Sequence, residues 1–272
     1  MKEERKFVKE DLKKGFYILP SLITCGSMAF GILSIVSSIG GHFIRAAWLL
    51  VGALACDIFD GRIARMTHTT SAFGVQLDSF SDLVSFGMAP AIMMYLMVLH
   101  PMQRIGIAIA ILFVLCSALR LARFNVLAQK DIVHKNFVGL PTPASAGVLI
   151  SFVLSYELVG PEGYALNPKT IPILMNTMPA FFKAIPIVMI ILSFLMVSNV
   201  PYFSFKKVVL PRVWSIQLLV VLIVVVLLIL VYPQNIFFII FSVYALSGII
   251  VFIIQFFWQR AQMRKKRSAS VE

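Results

Sequence analysis

Four aspartates lie close together in this chain, at intervals that match the turns of a helix. Asp57 and Asp60 belong to the segment DIFDGRIAR, and Asp78 and Asp82 belong to GVQLDSFSD, which follows eight residues later. The 272 residues include only 12 acidic ones, and these four lie at the edges of long apolar runs. An unpaired charge beside lipid costs on the order of 3 kcal/mol. A cation is therefore expected to compensate this group.

Helical spacing places the four carboxylates on two faces that can meet. Positions 57, 60, 61, 64 and 65 share one face of a helix, and positions 71, 74, 78 and 82 share one face of the next helix. Only the short polar stretch at residues 66–70 separates them, so the two helices are expected to be antiparallel neighbours. We therefore predict that the four aspartates form one cluster.

A carboxylate cluster of this kind predicts a divalent metal site. Four carboxylates that close repel one another unless a cation is present, and the two adjacent basic side chains, Arg62 and Arg65, are too few to neutralise them. Ligation by carboxylate oxygens suits Mg²⁺, Mn²⁺ or Ca²⁺ better than zinc. Because such ions usually complete their coordination with substrate phosphates, the cluster predicts chemistry on a phosphate.

The residues beside the aspartates are suited to a phosphate ligand. Gly61 and Ala64, and Gly74 on the facing helix, are small enough to let a base or a pyrophosphate approach the backbone. Arg65 offers a forked donor for phosphate oxygens. Ser71 can donate a hydroxyl to phosphate or ribose, although a role as a helix N-cap is equally open to it.

The elements that must position this cluster are membrane helices. About 60% of the residues are hydrophobic and about 13% are charged, and several apolar runs are long enough to cross a bilayer. Backbone groups in lipid must be satisfied within the segment, so the spans are expected to be helices. We predict an all-α polytopic bundle of about eight spans, at residues 17–40, 43–66, 71–99, 103–128, 143–160, 178–199, 213–232 and 235–258.

The distribution of basic residues predicts the orientation of the bundle. An even number of spans puts both termini on one side, and only Arg45, Arg104, Lys169 and Lys183, of 24 Lys and Arg residues, then fall on the opposite side. Basic residues concentrate in cytoplasmic segments. Both termini and the aspartate cluster are therefore expected at the cytoplasmic face of the cell (inner) membrane. The same rule accounts for the net charge of +12 without a nucleic-acid partner.

We expect one membrane domain, at residues 17–258, between two short basic segments. Residues 1–16 are expected to form an amphipathic or disordered cytoplasmic arm, and residues 259–272 a basic cytoplasmic tail. Cys25, Cys56 and Cys116 each fall inside an apolar run at unrelated spacings, so they are expected to be small buried side chains.

The aspartate segment resembles the signature of the CDP-alcohol phosphatidyltransferase family, D-x2-D-G-x2-A-R-x8-G-x3-D-x3-D, at every fixed position. The resemblance implies an integral-membrane enzyme that transfers a phosphatidyl group from a CDP-linked lipid to an alcohol and releases CMP. It implies that Asp57, Asp60, Asp78 and Asp82 bind two metal ions, Mg²⁺ or Mn²⁺, and that Asp82 is also the general base. The resemblance further implies contacts to the CDP-lipid from a set of small and polar residues: Gly61, Ala64, Arg65, Ser71 and Gly74.

Three further segments resemble the phosphatidylserine synthase branch of this family: LDSFSDLVSFGMAPA at 77–91, RLARFN at 120–125 and FVGLPTPASAG at 137–147. This resemblance implies CDP-diacylglycerol and L-serine as substrates. Members of the branch often have Asn after the proline that opens the first span, whereas Pro20 is followed here by Ser21.

The acceptor site is expected at the cytoplasmic end of the fourth span. Arg120 or Arg123 is suited to bind the carboxylate of serine, and Asn125 can add a hydrogen bond. The alternative for both arginines is that they anchor a helix end and reach lipid phosphates.

Two other functions remain open at this stage. The same chemistry with glycerol 3-phosphate, inositol phosphate or choline as acceptor is the first, and a cation transporter is the second. Transporters usually place their acidic residues near the middle of the membrane, between repeated halves. Here the acidic residues lie at one end, and the chain shows no repeat.

The family resemblance also implies a homodimer.

Overall fold

The computed structural model describes residues 2–67, 72–129, 137–157, 179–202, 236–248 and 250–251. Its longer helices are α1 (Lys2–Ile39), α2 (Phe43–Thr67), α5 (Arg104–Gln129), α6 (Thr142–Glu157) and α7 (Pro179–Val197). Between α2 and α5 the chain forms α3 (Ala72–Asp82), a π-helical segment (Leu83–Met88), α4 (Ala89–Met94), a second π-helical segment (Tyr95–Leu99) and a 3₁₀ turn (His100–Met102). The last described helix is α8 (Ile236–Gly248).

The all-α prediction is confirmed for the described residues, with one small addition. Two strands of two residues each, β1 (Phe137–Val138) and β2 (Pro201–Tyr202), form an antiparallel pair that joins the segment before α6 to the segment after α7. Hydropathy could not indicate this pair, because two residues are too few to show an alternating pattern.

Among the described residues, three helical stretches are long and apolar enough to cross a membrane: Pro20–Ile39, Phe73–Met102 and Arg104–Leu127. Three shorter apolar helices, at Thr142–Ser155, Lys183–Val197 and Ile236–Gly248, fall on the predicted fifth, sixth and eighth spans. The seventh predicted span, at 213–232, lies outside the described residues. Helix α1 begins at Lys2, so residues 2–16 are helical and continuous with the first span.

Serine hydroxyls join α1 to α2 and to the first π-helical segment. The Ser34 Oγ donates to the Ala46 carbonyl oxygen at 2.9 Å and the Ser27 Oγ donates to the Ala53 carbonyl oxygen at 3.0 Å, so α1 and α2 are antiparallel. From the first π-helical segment, Ser85 Oγ donates to the Ser27 carbonyl oxygen of α1 at 2.9 Å. Hydrogen bonds of this kind, together with small residues, replace hydrophobic burial as the source of helix association in lipid.

A glycine allows the close approach between α1 and the first π-helical segment. A Cβ at Gly31 would lie 2.6 Å from the Oγ of Ser85 and 2.9 Å from its Cα. The π-helical segment begins directly after Asp82 and ends at Met88, and π-helical turns occur frequently at functional sites. The position of Asp82 is therefore set at the point where α3 changes its helical geometry.

Candidate active site and metal centre

Three of the four aspartates form a compact oxygen cluster between α2 and α3. One carboxylate oxygen each from Asp57, Asp60 and Asp78 lies within 4.8 Å of the others. Asp57 and Asp60 are three residues apart on α2, and Asp78 lies on the facing side of α3, so the predicted meeting of the two helix faces is observed. The fourth carboxyl group, that of Asp82, interacts electrostatically with the carboxyl groups of Asp57, Asp78 and Asp60. All four acidic side chains thus share one site.

Asp60 occupies the innermost position of this cluster. Its residue surface is only 4% exposed, and its carboxylate interacts with the Gly61 backbone and the Thr24 side chain. One of its carboxylate oxygens, Oδ2, is buried and has no hydrogen-bond partner among the described residues. A buried carboxylate oxygen without a donor is destabilising, whereas a hard cation satisfies it. The donor set therefore fits a divalent metal ion, held by Asp57, Asp60 and Asp78.

Space for a ligand exists beside the cluster at Gly61, where an added Cβ would have no heavy atom within 4 Å. Gly74 lies one helical turn before Asp78 on α3. Ala64 and Arg65 belong to α2, but their side chains, like all of Ser71, lie outside the described part of the structure. The predicted contacts of these three residues therefore stay predictions.

The two arginines of α5 occupy different environments. Arg120 is partly buried, donates from Nη1 to the Thr142 hydroxyl at 2.6 Å, and interacts electrostatically with Asp82. Its Nε is buried and has no hydrogen-bond partner among the described residues. Arg123 is exposed and donates to the Asn199 side-chain oxygen at 2.6 Å and to the Val197 carbonyl oxygen at 3.4 Å. Arg120 thus faces the aspartate cluster, and Arg123 ties α5 to the end of α7.

Asn125 connects α5 to α3. Its Nδ2 donates to the Ser79 hydroxyl at 2.8 Å, and that hydroxyl donates to the Val75 carbonyl oxygen at 3.0 Å. Ser79 immediately follows Asp78, so this contact fixes α5 against the helix that carries two of the four aspartates. Sequence reasoning gave no signal for Ser79.

A rigid turn presents Thr142 to Arg120. Gly139 has a positive φ of 83°, and a Cβ there would lie 2.5 Å from the Met196 carbonyl oxygen. The Gly139 amide donates to the Val200 carbonyl oxygen at 2.9 Å, and the Leu140 amide donates to the Leu195 carbonyl oxygen at 3.0 Å. The GLPTP segment therefore packs on the end of α7 and starts α6 with Thr142 fully buried. Sequence reasoning missed Thr142 as a partner of Arg120, although it singled out this segment.

A bundle of apolar helices that carries a carboxylate cluster with an adjacent arginine fits a membrane enzyme that acts on a phosphate ester. The CDP-alcohol phosphatidyltransferase family model matches residues 17–175. This chain belongs to that family, as its aspartate segment led us to expect.

The chain is also similar to proteins named CDP-diacylglycerol--serine O-phosphatidyltransferase. Two of them, from two strains of Helicobacter pylori, are each 35% identical to it, over 234 and 253 residues. These alignments cover 86% and 93% of this chain, and 90% and 98% of the relatives. An archaetidylserine synthase of Methanothermobacter thermautotrophicus is 42% identical over 142 residues, or 52% of this chain and 59% of that protein. These names agree with the phosphatidylserine synthase branch indicated by the sequence.

Proposed function

We propose that this protein transfers the phosphatidyl group of CDP-diacylglycerol to the hydroxyl of L-serine, giving phosphatidylserine and CMP. The observation that carries the proposal is the cluster of Asp57, Asp60 and Asp78, with oxygens within 4.8 Å of one another and with Asp82 and Arg120 beside it. A carboxylate cluster suits divalent cations that bind the pyrophosphate of the donor, and an arginine suits the carboxylate of the acceptor. The names of the most similar relatives support the same pair of substrates.

Two divalent ions, Mg²⁺ or Mn²⁺, are part of this proposal. Asp57, Asp60 and Asp78 would hold them, with Asp82 as a further ligand, and the buried Oδ2 of Asp60 supports metal binding in particular. When bound, such ions neutralise charge on the transferred phosphoryl group and on the departing nucleotide. The small residues Gly61, Ala64 and Gly74, with Arg65 and Ser71, are proposed to contact the CDP part of the donor.

The protein's own groups supply orientation and proton transfer. Asp82 is proposed to take the proton from the serine hydroxyl, which requires hydrogen-bonding distance between the two groups. Arg120 lies within electrostatic range of Asp82, so one arginine can bind the serine carboxylate while the hydroxyl of the same molecule faces Asp82. The hydroxyl is then held next to the phosphorus that it attacks.

The membrane arrangement follows from the charge distribution. We propose eight spans with both termini and the active site on the cytoplasmic side of the inner membrane, because 20 of the 24 basic residues then lie in cytoplasmic segments. The acyl chains of the donor would remain in lipid while its headgroup enters the aspartate cluster. The homodimer implied by the family resemblance stays a prediction.

Release of CMP from CDP-diacylglycerol tests the function directly. The purified protein with Mg²⁺ or Mn²⁺ is expected to release CMP and form a new lipid with L-serine, and not with glycerol 3-phosphate, inositol phosphate or choline. A reaction without acceptor controls for hydrolysis of the donor. Activity on another acceptor with none on serine would contradict the proposed substrate, and no CMP release with any acceptor would contradict the proposed reaction.

The two arginines of α5 are expected to differ in their effect on serine. Arg120→Ala removes a charged hydrogen-bond donor from the acceptor site, which predicts a rise of ~10- to 100-fold in the KM for serine. Arg123→Ala is expected to raise that KM by much less, since its partners are Asn199 and the end of α7. Arg104→Ala, at the opposite end of the same helix, is the matched control and should leave the KM unchanged. A larger effect for Arg123 than for Arg120 would reverse the assignment.

A further inference from the structure

Two contacts fix the register of α5 against the segment formed by α3 and the first π-helical turns. Towards the end of α5, the Asn125 Nδ2 donates to the Ser79 hydroxyl at 2.8 Å. Nearer its middle, Ser117 packs on Gly87, where a Cβ would lie 2.9 Å from the Ser117 Oγ. Because residue numbers rise along one segment where they fall along the other, and by equal steps, the two segments are antiparallel and stay in register between these contacts.

This register brings Arg120 level with Asp82. Arg120 of α5 lies between the two contacts, and the residues opposite it directly follow Asp82, within about one helical turn. Helix α6 contacts both α5 and the first π-helical segment. Its first residue, Thr142, is fully buried, and the Thr142 hydroxyl accepts a hydrogen bond from the Arg120 Nη1 at 2.6 Å. The start of α6 therefore holds the guanidinium of Arg120 beside the segment that carries Asp82.

The hydrogen bond to Thr142 uses one edge of the Arg120 guanidinium. Nε and Nη2 form another edge, on which two parallel N–H groups match the two oxygens of a carboxylate. Nε is buried and has no hydrogen-bond partner among the described residues. A buried charged donor without an acceptor is destabilising, whereas a bound carboxylate satisfies it. Arg120 is therefore held through Nη1 in a way that leaves its Nε and Nη2 edge suited to a carboxylate.

The first turn of α6 keeps Thr142 in place. The Thr142 carbonyl oxygen accepts from the Ser145 hydroxyl at 2.8 Å, and the Pro141 carbonyl oxygen accepts from the Ala144 and Ser145 amides, both at 3.0 Å. Threonine is also stiff at χ1, because its Cβ is branched. Thr142 is therefore a rigid acceptor for Arg120, and a bond to it fixes the direction of the guanidinium plane.

We propose that Thr142 is a positioning residue, which holds the Arg120 guanidinium so that Nε and Nη2 bind the carboxylate of the acceptor. This inference rests on the proposed function, because it assumes that Arg120 binds L-serine. It adds a determinant of acceptor affinity from the start of α6, which lies outside the aspartate segment. If Thr142 served only to begin α6, its hydroxyl would affect the stability of the protein and not its affinity for serine.

Thr142→Val and Thr142→Ser test the proposal, because valine keeps the shape of threonine without the hydroxyl, whereas serine keeps the hydroxyl. Thr142→Val is expected to raise the KM for L-serine about 10-fold, with kcat and the KM for CDP-diacylglycerol within about 2-fold of wild type. Thr142→Ser should behave as wild type. Ser151→Ala is the matched control, since it removes another buried hydroxyl of α6, whose partner is the Val148 carbonyl oxygen. It should leave the serine KM unchanged.

Binding of the carboxylate can be measured separately from the reaction. L-Alanine has the carboxylate and the ammonium group of serine but no hydroxyl, so it is expected to compete with serine without reacting. Its inhibition constant should rise by the same factor as the serine KM in Thr142→Val and stay unchanged in Ser151→Ala. An unchanged inhibition constant in Thr142→Val would contradict a role in holding the carboxylate.

A double variant shows whether Thr142 acts through Arg120. Adding Thr142→Val to Arg120→Ala should raise the serine KM no further, because the group that Thr142 orients is already absent. That comparison does not require Thr142→Val to fold by itself. A further rise in the double variant, an unchanged serine KM in Thr142→Val, or an equal rise in Thr142→Ser or Ser151→Ala would each overturn the proposal. A failure of the proposed function differs from these outcomes, since the wild-type protein itself would then not use serine.

Discussion

Asp82→Asn is expected to abolish phosphatidyl transfer while the protein still binds CDP-diacylglycerol. The substitution keeps the size of the side chain and removes the group that takes the proton, which predicts a fall in kcat of about 10²- to 10⁴-fold. The oxygen cluster of Asp57, Asp60 and Asp78 remains in place, so the affinity for the donor should change by much less. CMP release measures the first quantity, and calorimetric titration with CDP-diacylglycerol in the absence of serine measures the second.

Two companion variants separate this interpretation from a general loss of structure. Asp82→Glu keeps a base one methylene further along, so it should retain part of the activity. Gln76→Ala alters an exposed residue on the same helix, away from the aspartates, and should behave as wild type. Full activity in Asp82→Asn would exclude Asp82 as the base. An equal loss of donor binding and of turnover would mean that Asp82 acts in binding alone.

The aspartate cluster could be predicted from the sequence because its geometry is local. Asp57 and Asp60 are three residues apart on one helix, Asp78 and Asp82 are four apart on the next, and the link between the helices is short. Under those conditions helical periodicity alone determines which side chains meet. The observed distance of at most 4.8 Å among Asp57, Asp60 and Asp78 agrees with that prediction.

The acceptor side could not be predicted to the same degree, because its contacts join distant segments. Arg120 and Arg123 are three residues apart and look equivalent in the sequence, yet one bonds to Thr142 of α6 and the other to Asn199 after α7. Their difference depends on how α6 and α7 pack against α5, which hydropathy does not encode.

The π-helical segment after Asp82 was also beyond sequence reasoning. Residues 83–99 are apolar or small throughout, so both an α-helix and a π-helix present the same composition to lipid. The change in geometry accompanies two close contacts, in which Ser85 bonds to α1 and Gly87 packs against Ser117 of α5. Tertiary packing on both sides therefore selects a geometry that local propensity leaves open.

The second large effect is expected for Asp60→Asn, which should abolish both turnover and the stabilisation of the protein by metal. A ligand that binds only the folded state stabilises it by about 2.7 kcal/mol at a hundred times its Kd, so Mn²⁺ should raise the Tm of the wild-type protein. Asparagine would replace one carboxylate oxygen with an NH₂ group, which does not ligate a cation. Since Asp60 Oδ2 is buried without a donor among the described residues, that substitution should remove the Mn²⁺-dependent rise in Tm.

The Tm without metal distinguishes a metal ligand from a structural aspartate. A buried carboxylate beside Asp57 and Asp78 is repelled by them when no cation is present, so Asp60→Asn should leave the metal-free Tm unchanged or raise it. Ser34→Ala is the matched control, because it removes a buried hydrogen bond between α1 and α2 without touching the cluster. It should lower the Tm by a few degrees and keep the full response to Mn²⁺. If Asp60→Asn instead lowered the metal-free Tm and kept that response, Asp60 would be a structural partner of Thr24 and not a metal ligand.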